Sequence, residues 1–368
     1  MTISRRRLLI GGGTALAGLG AAGWLGWRQM GTAGQMAAHA ARQRQSLSVP
    51  ATEHELIRYA TLAANGHNTQ PWLFRADARG IDILPDTSRR TPVVDPDDHH
   101  LFVSLGCAVE NLALAAAAMG RGGGITFAPT GDGAVRFHFG TNTGSGDDAA
   151  LFDAIPLRQS TRSDYDGSAV NTTALAQLEA AGAMPGVDLT LINQRRQIDQ
   201  IRDLVVAANA AQLADPAFVA ELKHWLRFSP DAAMALGDGL YSPASGHPAL
   251  PDWLGRRLFD MVFTPGTESA KIARQIDTSS GIAVFVAQRS DPEHWVQVGR
   301  ACQRFALQAT ALGLRTAHIN QPAEVPALRA ALANVAGLPG RRPDIVMRFG
   351  RAPAMPFSAR RLVDAVMV

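Results

Sequence analysis

Beyond residue 50 the apolar positions fall into two periods. Spacings of three and four predict helices, and alternation or short apolar runs predict strands. The capping-box spacing Thr52-Glu53-His54-Glu55 opens a helix expected to run to about Ala64, and Asn65-Gly66 closes it with residues that tolerate positive φ. Short strands are expected at 81–84, 125–127 and 135–139, the last two joined into a hairpin by the Pro-Thr-Gly-Asp-Gly turn at 129–133. A long apolar helix, 106–119, precedes that hairpin. A second set of elements begins near Leu151. It comprises helices at 175–181, 199–213, 218–226 and 299–312, with strands at 187–192, 282–287 and 344–349. Residues 140–148 read as a polar, glycine-rich linker between the two sets. Residues 229–266 carry Pro230, Pro243, Pro248, Pro251 and Pro265 and break both periods, so they are expected as a long irregular, lid-like excursion.

Ahead of all this, residues 8–27 hold no charge, and Arg5, Arg6 and Arg7 precede them. A basic stretch followed by a glycine-rich apolar run is the pattern of an export leader. Ser4-Arg5-Arg6-Arg7-Leu8-Leu9 resembles the twin-arginine signal, whose translocation machinery carries folded proteins. Ala38-His39-Ala40 offers a small-residue cleavage site. Uncleaved, the twenty apolar residues are long enough to anchor the chain in a bilayer. The expected division is a leader at 1–40, one half at 50–148 and another at 149–368. The expected location is periplasmic or otherwise extracytoplasmic, with membrane contact only through the leader.

The two sets share a repeat. Residues 106–120 (Gly-Cys-Ala-Val-Glu-Asn-Leu-Ala-Leu-Ala-Ala-Ala-Ala-Met-Gly) match 299–313 (Gly-Arg-Ala-Cys-Gln-Arg-Phe-Ala-Leu-Gln-Ala-Thr-Ala-Leu-Gly) at seven of fifteen positions. In each set the helix is followed by an extended segment, which suggests two related halves packing these helices together.

Composition narrows the function. Hydrophobic residues make up 46% and charged residues 18%, enough for a large core and too apolar for wholesale disorder. The formal charge is +3, and residues 1–40 hold four arginines and no acid, so the remainder stands at −1. That balance argues against a nucleic-acid partner. Cys107 and Cys302 are too few for a disulfide scaffold or a thiolate zinc cluster and are expected as buried reduced thiols. His99-His100 is expected in a solvated polar turn, with no metal site. Gly122-Gly123-Gly124 follows a helix and so is no nucleotide fingerprint.

Two motifs carry chemistry. Asn65-Gly66-His67-Asn68-Thr69-Gln70-Pro71-Trp72 packs amides, a fixed Pro and a Trp into a turn, a rim suited to a planar heterocycle. Arg158-Gln159-Ser160-Thr161-Arg162 offers guanidiniums and a hydroxyl, the donors of an anion cradle.

With these motifs in this order, residues 52–368 resemble the nitroreductase superfamily of FMN-binding flavoproteins. The resemblance is closer to its Acg-type branch, in which two such halves are joined. It rests on 68–72, on 155–162 and on both repeat helices. It extends to Trp225-Leu226-Arg227-Phe228-Ser229, to Gly237-Asp238-Gly239-Leu240 and to the ending Phe349-Gly350 with Ser358-Ala359-Arg360-Arg361. The resemblance implies an α+β nitroreductase-like fold whose fused halves form an intramolecular pseudo-dimer. It also implies one FMN per chain, because the turn occurs only in the first half and the cradle only in the second. Arg158 and Ser160 would hold the phosphate end, with Gln159 and Arg162 in the same segment and Arg360 reaching the phosphate. Asn68 and Gln70 would border the ring. Asn320 stands where the family has a Glu-Gly pair, a departure at the ring. The implied activity is ping-pong hydride transfer through flavin N5, from a donor such as NAD(P)H to a nitro-aromatic, quinone or similar small-molecule acceptor. That chemistry requires no protein general base. The alternative is a non-enzymatic protein that stores or sequesters FMN, or a relative that has lost flavin.

Overall fold

The computed structural model describes residues 30–368, so the paired arginines and the apolar leader lie outside the described residues. Helices α1 (Ala33–Gln43) and α2 (Glu53–Thr61) lead into strands β1 (Trp72–Asp77) and β2 (Gly80–Pro85). Then come helix α3 (His99–Ala118) and strands β3 (Ile125–Ala128) and β4 (Ala134–His138). The four strands form one antiparallel sheet in the order β1-β2-β4-β3.

Helices α4 (Gly146–Ala154) and α5 (Thr172–Gly182) open the second half, followed by β5 (Val187–Ile192). A long helical excursion holds α6 (Arg195–Ala214), α7 (Pro216–Trp225), β6 (Leu226–Arg227), α8 (Pro230–Leu236), β7 (Leu240–Tyr241), α9 (Asp252–Val262) and α10 (Pro265–Asp277). The chain then resumes with β8 (Gly281–Ala287), α11 (Pro292–Ala311), β9 (Arg315–His318), α12 (Gln321–Glu324), α13 (Pro326–Val335) and β10 (Ile345–Gly350). The second sheet is also antiparallel, in the order β5-β8-β10-β9.

The fold is α+β, and both halves follow one plan: strand, strand, helix, strand, strand, with the last two exchanged in the sheet. The first half joins its leading strands through Ala78-Arg79, whereas the second inserts the whole excursion there. Helices α3 and α11, which carry the repeat, cross at their shared glycines. A Cβ built on Gly106 would lie 3.0 Å from the Gly299 Cα and overlap the Val296 carbonyl. One built on Gly299 would lie 2.9 Å from the Gly106 Cα and overlap the Val103 carbonyl. One apolar core spans both halves, from Leu56, Trp72 and Phe137 to Phe285, Phe305 and Phe349. Residues 351–368 then return to the first half. Their end pairs with β1, Phe74 N donating to Val366 O and Val368 N to Phe74 O.

Four differences from the sequence reading have physical causes. The region 229–266 is not irregular: Pro230 and Pro265 sit in the first turns of α8 and α10, and Pro251 caps α9. Proline breaks a helix but also starts one, because the first turn has no partner for its N–H. Residues 146–148, read as linker, are the first turn of α4. Helix α3 starts at His99, so the His99-His100 pair is not a solvated turn. The Asp95 carboxylate accepts from His100 N and Leu101 N at its start, and His99 is buried with Nε2 2.6 Å from Asp344 Oδ1. Finally, folded structure reaches upstream of the expected boundary at residue 40. Met36 and Ala40 on α1 are buried, and Met36 packs with Ala233, Tyr241, Ala244 and Ala359.

Candidate functional site

Two adjoining cavities lie between the halves. The smaller, of about 60 Å³, is bounded by Arg44, Asn68, Arg158, Gln159, Phe357 and Arg360 among others. The larger, of about 260 Å³, runs from Asn65 and His67 to the excursion. Ala64, Asn65, Ser160, Arg162 and Leu240 line both, so the two are continuous.

The smaller cavity is an unusual concentration of positive charge. Segment 155–162 is held against β9, with Thr161 N donating to Thr316 O at 2.8 Å. From it Arg158 Nη2 donates to Leu62 O at 2.9 Å. Arg360, on the returning C-terminal arm, donates from Nε to Thr61 O and from Nη1 to Asn68 Oδ1, at 2.8 and 2.7 Å. Arg44 lies over the Phe357 ring at 3.9 Å. Among the described residues, none of the three arginines has a carboxylate partner and no acid lines this cavity. The Nε atoms of Arg44 and Arg158 are buried with no hydrogen-bond partner among the described residues. Burial, then Arg158, pulls the Arg44 pKa down to about 9. Burial, then Arg44 and Arg158, holds that of Arg360 well below its usual range, and burial lowers that of Arg158. Buried cations without counter-charge are costly, so this cavity favours an anion.

The larger cavity is different in kind. His67, in the left-handed region at φ 45°, presents a ring that burial and then Arg162 hold down to about 4. His318 is held down to about 3 by burial, then by Arg162 and Arg158. Both are neutral at physiological pH. Arg162 passes between the cavities, its own pKa lowered by burial and then by Arg348. On the far wall Glu324, whose pKa burial raises, accepts from Gln212 Nε2 at 2.7 Å. Lys271 Nζ, from α10, stands 2.7 Å from His247 Nε2 and donates to Glu268 at 3.2 Å. Apolar side chains such as Val103, Leu222 and Phe263 complete the walls. The result is a slot suited to a flat, largely apolar group, with an anion subsite at one end.

The structure gathers Arg158, Gln159, Ser160, Arg162, Asn68 and Arg360 around the smaller cavity and places Asn320 on the wall of the larger. Asn320 Oδ1 is taken by Val346 N at 2.9 Å. Gln70 and Asn68 are engaged by other parts of the chain. Gln70 lines neither cavity: its side chain donates to Gly237 O and accepts from Arg361 N, at 2.8 and 2.9 Å. Asn68 lines the smaller cavity and donates to Gly239 O and Ala359 O. Both amides tie the turn at 66–72 to the excursion and to the C-terminal arm. Gln159 pins that arm too, through both backbone groups of Met355. Sequence reasoning missed Arg44, Phe357 and His318. His67 stands inside the 65–72 motif, but the other three reach the site by long-range closure that no local pattern signals.

No family model matches the chain. It is 26% identical over 330 residues to proteins of two Mycobacterium tuberculosis strains, CDC 1551 and H37Rv, both named by inference as NAD(P)H nitroreductases. Each alignment covers 86% of this chain and 91% of the relative. Among solved structures, the FMN-dependent nitroreductase NfnB of Mycobacterium smegmatis, in complex with NADPH, covers 59% of this chain and 92% of its own, at 15% identity and a TM-score of 0.37. An FMN-bound nitroreductase of Desulfitobacterium hafniense covers 58% and 93%, at 16% identity and a TM-score of 0.35.

Proposed function

We propose that this chain is an FMN-dependent oxidoreductase of nitroreductase type, built as an intramolecular pseudo-dimer of the Acg-type and holding one FMN. The observation that carries the reading is the acid-free arginine cavity opening into a larger slot between the halves. Orphaned guanidinium Nε atoms on Arg44 and Arg158 fit a phosphate, and the slot fits a planar ring. Bound there, FMN supplies hydride transfer between NAD(P)H and a nitro-aromatic, quinone or similar acceptor. This chain's own residues bind, orient and exclude water. Arg158 and Arg360 neutralise the phosphate, and Ser160 donates beside them. His67 and His318, both neutral, line the ring end without adding charge. The apolar walls and the excursion keep water out.

The leader supports export of the folded protein by the twin-arginine machinery to the periplasm, cleaved or anchored. The excursion roofing the larger cavity favours a second reading, in which the flavin is stored rather than turned over.

Absorbance of the protein made in the cytoplasm tests flavin binding, and stopped-flow bleaching by NADPH separates enzyme from store. Hydrogen bonds to charged groups contribute about 1.5–3 kcal/mol, so Arg158→Ala should weaken FMN roughly ten- to a hundredfold. Riboflavin, which lacks the phosphate, should be nearly unaffected. Parental affinity for FMN in this variant would remove the phosphate from this cavity.

A further inference from the structure

We infer that Arg44 is a ligand-binding residue of the smaller cavity, and that docking of residues 33–44 is linked to occupancy of that cavity by a phosphate monoester. The inference rests on the proposed reading of the cavity as a phosphate site. Helix α1 is built to dock. Thr32 and Gln35 form a complete capping box at its start. At its end Gln43 clasps the Arg360 backbone from both sides, donating to its carbonyl and accepting from its N–H. The next residue is Arg44, whose guanidinium stacks on Phe357 and meets the cavity beside Arg158.

This places three guanidiniums from three distant parts of the chain around one small space. With no anion present, Arg44 and Arg158 repel each other, which opposes docking of the helix. With a phosphate dianion between them the same charges attract it, and Arg44 Nε gains the acceptor it lacks. A ligand that touches the docked helix must favour docking, and the docked helix must favour the ligand by the same factor. The ligand class is a phosphate monoester on a planar body. A neutral analogue of the same body fills the slot without engaging Arg44.

Trypsin reads docking directly, because Arg42-Gln43 and Arg44-Gln45 are scissile only when the helix end is released. The full chain is digested alone, with FMN, with riboflavin and with inorganic phosphate, and cuts at these two bonds are followed by mass spectrometry. FMN should slow them at least fivefold, phosphate should do so at higher concentration, and riboflavin should leave them unchanged. Equal protection by FMN and riboflavin overturns the linkage. In parallel, equilibrium dialysis compares Arg44→Ala, Arg44→Lys and Arg158→Ala, each checked for a parental circular dichroism spectrum. Arg44→Ala should bind FMN about tenfold more weakly with riboflavin affinity kept, and Arg44→Lys should recover part of the loss. If Arg158→Ala weakens FMN and Arg44→Ala does not, the inference alone fails. If neither variant weakens FMN, the phosphate reading fails and takes the inference with it.

Discussion

Gly106 and Gly299 meet face to face where α3 crosses α11, and a Cβ on either would overlap a backbone carbonyl of the opposite helix, that of Val296 or of Val103. The contact is reciprocal, the pattern of a two-fold interface in which the same patch serves both sides. A side chain on either helix would have to push the backbones apart. Gly106→Ala and Gly299→Ala should each cost about 3 kcal/mol or more, at the upper end of overpacking. Urea unfolding measures it. A loss below 1 kcal/mol would show that the crossing can open without penalty.

Asn68 and Gln70 are staples in this structure. Asn68→Ala removes three hydrogen bonds joining the turn to Gly239, Ala359 and Arg360. It should lower stability by about 1–3 kcal/mol and weaken FMN through Arg360, whose Nη1 loses its acceptor. Gln70→Ala should cost similar stability while sparing FMN. Thermal melts and FMN titrations on both variants separate the two. A shift in flavin absorbance with unchanged stability would place Asn68 at the ring.

Asp238 fastens the excursion. It pairs with Arg89 of the first half and with Arg227 on β6, where Arg227 Nη2 stands 2.6 Å from Oδ1. Removing one partner of a buried ionic network typically costs about 3–5 kcal/mol. Asp238→Ala should destabilise by that order and admit small quenchers to the larger cavity. Unchanged stability would mean the two arginines find water instead.

Acid should loosen the fold before it reaches the carboxylates. The pKa values of His67 and His318 lie near 4 and 3 when folded, against about 6.5 in an unfolded chain. Between those values the unfolded state binds more protons, so their stability is complete above pH 6.5 and is lost as pH falls toward 4. Glu324 acts in the opposite sense, since its raised pKa costs stability as pH climbs past about 4.5. His99 and His247 are lowered too, so the histidines dominate. Urea midpoints should fall between pH 6.5 and 5. The double variant His67→Gln, His318→Gln should reduce the slope by about two protons. An unchanged slope would contradict the burial of these rings.

Processing of the leader has a structural limit. Met30 O accepts from Asp231 N, and α1 begins at Ala33, so a cut at residues 38–40 would sever a packed helix. N-terminal sequencing of the exported form should begin upstream of Thr32. Replacing Arg5 and Arg6 by lysine should retain the precursor in the cytoplasm, because paired guanidinium recognition is lost while charge is kept. Unchanged delivery would exclude the twin-arginine route.

What the sequence made legible was the part that repeats or that concentrates charge. The helix crossing was readable because close approach demands small residues at fixed spacing, and both copies kept them. The gathering of Arg158, Gln159, Ser160 and Arg162 on one cavity was readable because they are contiguous. Strand β1 was not, since Trp72 to Asp77 is short and follows Pro71 in what reads as a turn. The helices of 229–266 were hidden because a proline before a helix and a proline ending one look alike in sequence. His99 is buried by Asp344 and Arg44 is brought in by Gln43 and Phe357, relationships that depend on chain closure rather than on neighbours.

Strand β1 takes its outer partner from residues 366–368, the Phe74 backbone bonding to Val366 and Val368. The edge of the first sheet is therefore finished by residues 366–368, which lie far from β1 in sequence. Until those residues dock, the first half carries an open strand edge, the kind of surface that pairs with neighbouring chains. A pairing so distant in sequence must wait for its loop entropy to be met, so it forms late. Trimming a few residues from 366–368, or blocking their docking with a bulky tag, would restore that open edge in the finished molecule.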